Sequence, residues 1–272
     1  MAPNGIITFL SDFGLQDGYV AIVKGVILRI NPASVIVDIT HQIPSGSILH
    51  AASVLQETQP FFPQGTVHLA VVDPGVGTTR RPIAVQADSH FFVGPDNGLF
   101  SPFITRSPSS SIVLLKEKRY FLPDISNTFH GRDMFAPVAA HLSSGVPLDA
   151  LGPPVNDPVV LTLPDPQVGE DVLSGTVVRI DHFGNLITNI SEKTLRKFLC
   201  NGDPVIRIGE LTIHGISSAY GETARGGIVA LIGSAGFLEI AVNLGRACEL
   251  DEIKAQNASG IAAVAVFRDT DS

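Results

Sequence analysis

The amino-terminal part of the chain alternates short apolar runs with longer stretches whose apolar positions recur every three or four residues. Ile6 to Leu10 is a continuous apolar run and predicts a strand. From Tyr19 onward, Val23, Val26, Ile27 and Ile30 fall on one helical face, and Asn31 with Pro32 ends that helix. Val35 to Ile39 is β-branched and predicts a second strand. Ile48, Ala52 and Leu55 mark a second amphipathic helix, stopped by Pro60, and Thr66 to Val72 supplies a third strand. The order β-α-β-α-β predicts an α/β domain with a mostly parallel sheet and right-handed crossovers. Further along, Phe135, Val138, Ala139 and Leu142 share one face of another helix.

The pattern changes beyond Gly152. GPPVNDPVVLTLPDPQVGED places Pro153, Pro154, Pro158, Pro164 and Pro166 where regular backbone pairing would need N–H donors, which predicts a stiff connection. SGTVVRID, NLITNI, PVIRIG, GIVALIG, FLEIAV and IAAVAVF then follow as short β-rich runs separated by Gly, Asn and Asp. They predict a smaller all-β, barrel-like domain. The expected organisation is an α/β domain over 1–152, a Pro-rich linker over 153–170 and a β-rich domain over 171–272, with no internal repeat.

Composition narrows the function classes. The 272 residues are 44% hydrophobic and contain no Trp, enough to bury a core and unlike a disordered chain. With 18 basic and 26 acidic residues the formal charge is −8, which argues against nucleic-acid binding and favours a cationic small molecule. Cys200 and Cys248 form no CxxC and read as reduced structural thiols. MAPNG leads directly into the first strand, and no apolar run reaches membrane-spanning length, so a soluble, cytoplasmic protein is expected.

The polar residues then fall into place. Asp12 follows the first strand, Asp38 with Thr40 and His41 closes the second, and Asp73 follows the third. Any one of them reads as a cap or turn residue. All three at the carboxyl edge of a parallel sheet point to a ligand crevice, with Asp12 and Asp73 ahead of Asp38. DPGVGTTRR lacks the GxxxxGK[ST] of a phosphate loop and has Arg80 where a dinucleotide fingerprint needs a third Gly. In NTFHGRDMFAPVAAHL, His130 precedes the helix, whose positive end lowers its pKa. DHFGNLITN and GSAGFLEIAVN are turns that can project Phe183, Asn185, Asn189, Ser234 and Asn243. Asp12, Asp38, His41, Asp73 and His130 form a conceivable metal set, but HExxH, EF-hand and paired-Cys spacings are missing, so no metal is assigned. GxSxG is missing too.

Taken in order, SDFG from Ser11, DITHQIP from Asp38, VVDPGVGTTRR from Val71, GPDNGLF from Gly94, FHGRD from Phe129, DHFGNLITNI from Asp181 and SAGFLEIAVN from Ser234 resemble the S-adenosyl-L-methionine (SAM) hydroxide adenosyltransferases. These adenosine-forming SAM hydrolases are relatives of the bacterial fluorinase and chlorinase. The resemblance implies cleavage of SAM by water to adenosine and methionine without metal or cofactor. It implies an Asp73, Arg80 and His130 set around the water, a set the halogenating relatives do not retain together. It further implies that Asp12 grips the ribose hydroxyls, that Asp17 and Ser234 hold the methionine part with Asp181 nearby, and that Asn185 and Asn243 read adenine. Phe183 lines the adenine pocket and Tyr220 is a stacking partner. The family forms trimers with active sites between the N-terminal domain of one subunit and the C-terminal domain of the next.

Ala235 and Val242 stand where the halogenases carry arginines, and Arg81 reads as a surface or structural residue. The chemistry suits the residue types. Methionine leaves a sulfonium as a neutral thioether, so the difficulty lies with water, whose pKa is about 15.7 in bulk. Asp73 or His130 can accept its proton; Arg80, always charged, cannot. Two other readings remain: a metal-dependent nucleotide or phosphoester hydrolase, and a nonenzymatic adenosine or SAM sensor.

Overall fold

A computed structural model describes residues 2–161, 165–200, 202–251, 253 and 262–268. The chain divides into two compact units, 1–162 and 163–272.

In the first unit, β1 (Ile6–Ser11), α1 (Tyr19–Ile30), β2 (Val35–Thr40), α2 (Ile48–Thr58) and β3 (Val67–Val71) follow the order read from the apolar spacing. β4 (Pro82–Ala87), β5 (His90–Pro95), α3 (Ser101–Arg106), β6 (Ser111–Leu114) and α4 (Ala136–Ser143) complete it. The sheet order is β2-β1-β3-β5-β4-β6. β2, β1, β3 and β5 pair in parallel, whereas β4 runs antiparallel to both β5 and β6. The expected mostly parallel sheet is therefore a mixed one. β4 and β5 are joined through Asp88 and Ser89, both at positive φ (47° and 67°), and a turn that tight can only return the chain antiparallel.

Alternation along the strands gives the sheet two buried faces. Ile7, Phe9, Val67, Leu69 and Val71 enter one core with Val23 and Ile27 of α1 and Val138 and Leu142 of α4. Leu10, Ala70 and Val72 enter the other with Leu55 of α2 and Phe103 of α3. The strands β1 and β3 are buried on both sides, which is why they read as unbroken apolar runs.

Two histidines sit inside this second face. Thr8 Oγ1 lies 2.7 Å from His68 Nδ1, and His68 Nε2 lies 3.1 Å from His90 Nδ1. Burial pushes the His68 imidazole down to about 3 from 6.5, with the neighbouring His90 adding to the effect. A group whose folded pKa lies below its unfolded value costs no stability above the unfolded pKa; below it, the unfolded chain takes the proton first. Stability should therefore be full above about pH 6.5 and fall as the pH drops towards about 3. Urea midpoints at pH 8 and pH 5 check this: the wild type should lose stability between them more steeply than His68→Gln, and parallel losses would contradict it.

The second unit contains β7 (Gln167–Val168), β8 (Val172–Ile180), β9 (Leu186–Ser191), α5 (Glu192–Leu199), β10 (Pro204–Ile208), β11 (Leu211–His214), β12 (Ile228–Ile232), β13 (Phe237–Val242) and β14 (Ala263–Arg268). The strand path is β11-β10-β14-β8-β9-β13-β12, with β7 paired to β8. All these pairings are antiparallel, and an isolated bridge from Ser217 to Leu231 of β12 nearly closes the sheet into a barrel. Its core holds Leu173, Leu186, Ile206, Leu238, Ile240 and Val266. α5 was not read from the sequence; Ser191 caps it by accepting the Thr194 N–H at 3.2 Å.

The Pro-rich stretch begins as part of the first unit. Val155 N donates to Ile112 O, Val159 N to Asp96 Oδ1 and Leu161 N to the Ser101 hydroxyl. Residues 162–164 of that stretch lie outside the described residues. Among the described residues, no helix is long and apolar enough to cross a membrane.

Candidate active site

The parallel strands deliver their carboxyl ends to one edge, and the mixed topology adds a second delivery. Because β4 runs antiparallel, its first residue Pro82 pairs with Pro95 at the end of β5, so Arg80 and Arg81 arrive at the same edge as Asp73. Between them the chain folds back in two successive turns: Val76 N donates to Asp73 O, and Thr78 N to Gly75 O. Arg80 is thereby returned over Asp73.

The contact is bidentate. Arg80 Nε lies 2.8 Å from Asp73 Oδ1 and 2.9 Å from Oδ2, and Nη2 also donates to Oδ2. The Arg80 and Asp73 side chains are only 10% and 6% exposed. The same Nη2 lies 2.8 Å from His130 Nδ1, and the guanidinium carbon stands 5.1 Å from the centre of the Phe135 ring. The three side chains form one connected group with Arg80 in its middle. A guanidinium only donates, so His130 Nδ1 accepts; the imidazole is then neutral and carries its proton on Nε2. Burial and the Arg80 charge both push the His130 pKa below 6.5. The structure thus adds desolvation and a neighbouring cation to the causes that lower it.

His130 stands at the start of a helix whose first turn, Gly131–Phe135, is a π-turn that runs on directly into α4. Such wide turns tend to occur where function needs an unusual backbone. Asp133 within it is fully buried. It accepts Ser126 N and Ser126 Oγ, both at 2.8 Å, and pairs with Arg132, and so ties down the loop leading to His130. The sequence signal for that role was the acidic residue on an otherwise apolar helix face.

The two loops bearing the group pack backbone to backbone at Gly77. Its φ is +76°, and a Cβ there would stand 2.3 Å from Asn127 O. Gly77→Ala should push the 73–81 loop off the His130 loop and lower kcat by at least about tenfold, since misplacement of this order is costly. Steady-state rates check it, and an unchanged kcat would show that the contact is immaterial.

Asp12 is partly buried, and its Oδ2 accepts the Gly46 N–H at 2.9 Å. Gly46 in turn lies against Pro74, next to Asp73. Asp17 is exposed in the turn before α1. Asp38 pairs with both His41 and Lys24, while Asp73 and His130 hold Arg80 between them. The five residues weighed as a metal set are thus split, and among the described residues no group of three or more His, Cys, Asp or Glu could hold a metal ion. Arg81 is structural: it donates to Asp96 at 2.8 Å and to Asp157 at 2.7 Å, fastening the Pro-rich segment.

In the second unit, Asp181 accepts the backbone N–H of Asn185 at 2.8 Å and its side-chain amide at 3.0 Å. Phe183, at the tip of that turn, is 70% exposed. Tyr220 donates its hydroxyl to Glu239 at 2.9 Å, and burial together with that carboxylate pushes its pKa up to about 12. Asp181 adds to the Tyr220 shift, so Asp181, Tyr220 and Glu239 share one neighbourhood. Glu239, nearly buried, was missed by the sequence reading, although a lone acid in the apolar run FLEIAV was its signal. Ser234 is exposed in the turn between β12 and β13, and Asn243 gives its amide to Thr223 O at 2.7 Å.

Comparison with known proteins places these features. Residues 7–152 match the SAM hydroxide adenosyltransferase N-terminal domain and residues 175–258 the corresponding C-terminal domain. An (R)-S-adenosyl-L-methionine hydrolase from Salinispora tropica is 39% identical over 257 residues, 92% of this chain and 95% of that protein. A fluorinase from an Actinoplanes species is 31% identical over 71% of this chain and 74% of its own length. The crystal structure of an uncharacterized conserved protein from Thermotoga maritima superposes with a TM-score of 0.88 at 36% identity, covering 96% of this chain and 100% of that one. By both of its domains, this chain belongs to the SAM hydroxide adenosyltransferase family.

Proposed function

We propose that this protein hydrolyses SAM, in the (R) form named for its relatives, to adenosine and L-methionine. The observation that carries the reading is the Asp73–Arg80–His130 group, one buried acceptor and one neutral imidazole joined through a single guanidinium. A water held there has a carboxylate to receive a proton and an N–H to orient it. Its oxygen attacks ribose C5′, the C5′–S bond breaks, and methionine leaves with the electron pair as a neutral thioether. As the new C–O bond forms, the attacking oxygen becomes strongly acidic and its proton passes to Asp73. A weak base is sufficient because the transfer follows bond formation. His130, whose Nδ1 is occupied by Arg80, donates from Nε2. Arg80 keeps both partners aligned and offsets the charge on Asp73.

Asp12 accepts two hydrogen bonds from the ribose 2′ and 3′ hydroxyls, its geometry fixed by Gly46. Asp17, Asp181 and Ser234 take the methionine part; Phe183, Asn185, Tyr220 and Asn243 take adenine. The active assembly is a cytoplasmic homotrimer needing neither metal nor cofactor. Incubation with SAM in chelator should yield adenosine and methionine in equal amounts. Activity lost in chelator and restored by a divalent ion would point to a metallohydrolase, and tight binding without product to a sensor. Sedimentation tests the trimer, and a fully active monomer would refute it.

A further inference from the structure

Resting on the reading of Asp12 as the ribose clamp, we propose that His41 is a positioning residue that locks the strand end carrying Asp12. His41 is 3% exposed and touches both sides of Asp12 in the chain. Its Nδ1 lies 2.8 Å from the Ser11 hydroxyl, and its backbone oxygen accepts the Gly14 N–H at 2.8 Å. Ser11 Oγ in turn accepts the Phe13 N–H at 3.4 Å. The same loop supplies the Gly46 N–H that binds the Asp12 carboxylate at 2.9 Å. Residues before, at and after Asp12 are therefore all held by the segment from His41 to Gly46.

The imidazole is itself fixed. Its Nε2 stands 3.1 Å from Asp38 Oδ1, a contact that is electrostatic more than directional, because the N–H points off the oxygen. Asp38 is held by Lys24 at 2.6 Å, and the Phe9 ring meets the imidazole at 4.6 Å between centres. A carboxylate beside Nε2 keeps the proton on that nitrogen, so the Ser11 O–H donates to Nδ1 and leaves its oxygen to accept from Phe13. Serine, histidine and aspartate in this order also suggest a nucleophile, but Ser11 is 0% exposed and no substrate can reach it.

Calorimetry with adenosine, run beside kcat, KM and thermal unfolding, tests the assignment. His41→Ala should weaken adenosine binding and raise KM by about fivefold to tenfold, the range of one lost hydrogen bond with some loosening, while kcat at saturation changes by less than about threefold. His41→Asn, whose amide oxygen can stand where Nδ1 stood, should recover most of the affinity. Ser11→Ala should weaken binding, and Ser11→Ala combined with His41→Ala should be no worse than His41→Ala alone. If His41→Ala does not fold, His41→Asn and Ser11→Ala carry the comparison. Unchanged affinity in His41→Ala or Ser11→Ala, or an additive double variant, overturns the proposal. So does a His41→Asn as weak as His41→Ala with the same loss of thermal stability, the mark of a merely structural role. Asp12→Ala separates the two readings: if it leaves adenosine affinity intact, the ribose clamp itself fails; if it weakens binding while His41→Ala does not, only the role of His41 fails.

Discussion

Asp73→Asn should lower kcat by about 10²- to 10⁴-fold while leaving KM for SAM within a few-fold, the range expected when a positioned proton acceptor is removed. The amide is nearly isosteric, so the variant tests charge and not volume. Both Asp73 oxygens accept from Arg80 in the wild type. In the variant the amide keeps one accepting oxygen, but its NH2 faces a guanidinium that also only donates, so the bidentate contact is lost. Arg80 then loses the partner that aligns it with His130. Because the acceptor is needed only once the C–O bond is forming, ground-state binding of SAM has little to lose. Steady-state kinetics decide the matter: a rise in KM as large as the fall in kcat would make Asp73 a binding residue. His130→Ala should follow the same pattern, with a smaller fall.

Asp12→Ala should behave in the opposite way. Two charge-assisted hydrogen bonds, each of about 1.5–3 kcal/mol, are lost, but the ribose hydroxyls return to water and recover part of that energy. The net effect should be a dissociation constant for adenosine weakened by about 10²-fold. kcat at saturating SAM should fall much less. The effect is not one of folding, since Asp12 is only partly buried and lies beyond the last residue of β1. Calorimetry with adenosine, which cannot react, gives the affinity directly. Equal affinity in the variant and the wild type would remove Asp12 from the ribose site.

The parts of this fold that can be read from the chain are those in which local preference and burial agree. β1, β2 and β3 are apolar or β-branched runs closed by turn residues, and α1 ends at Ile30, capped by Asn31 just before Pro32. The β4–β5 hairpin was not legible, because its turn uses Asp88 and Ser89 rather than a glycine at positive φ. That hairpin is also what turns a parallel sheet into a mixed one and brings Arg80 to Asp73. The π-turn after His130 was hidden for a related reason: GRDMF carries helical apolar spacing, and the wider ring is imposed by packing around Asp133 and Phe135. The candidate residues Asp73, Arg80 and His130 were named from motif likeness, but their connection through one nitrogen of Arg80 is a property of three dimensions. Glu239 and Asp133 show the converse: each is visible in the chain as an acid in an apolar segment, but only burial and its hydrogen-bond partners give that signal a meaning.

The central claim is a single in-line displacement at C5′ by water. Turnover of SAM carrying one deuterium of known configuration at C5′, in water enriched in oxygen-18, tests it most directly. Inversion at C5′, with the heavy oxygen on the adenosine 5′ carbon and none in Asp73, is the expected result. Retention of configuration, or inversion with the heavy oxygen found in the Asp73 carboxylate instead of adenosine, would mean that the carboxylate attacks first and would contradict direct displacement by water.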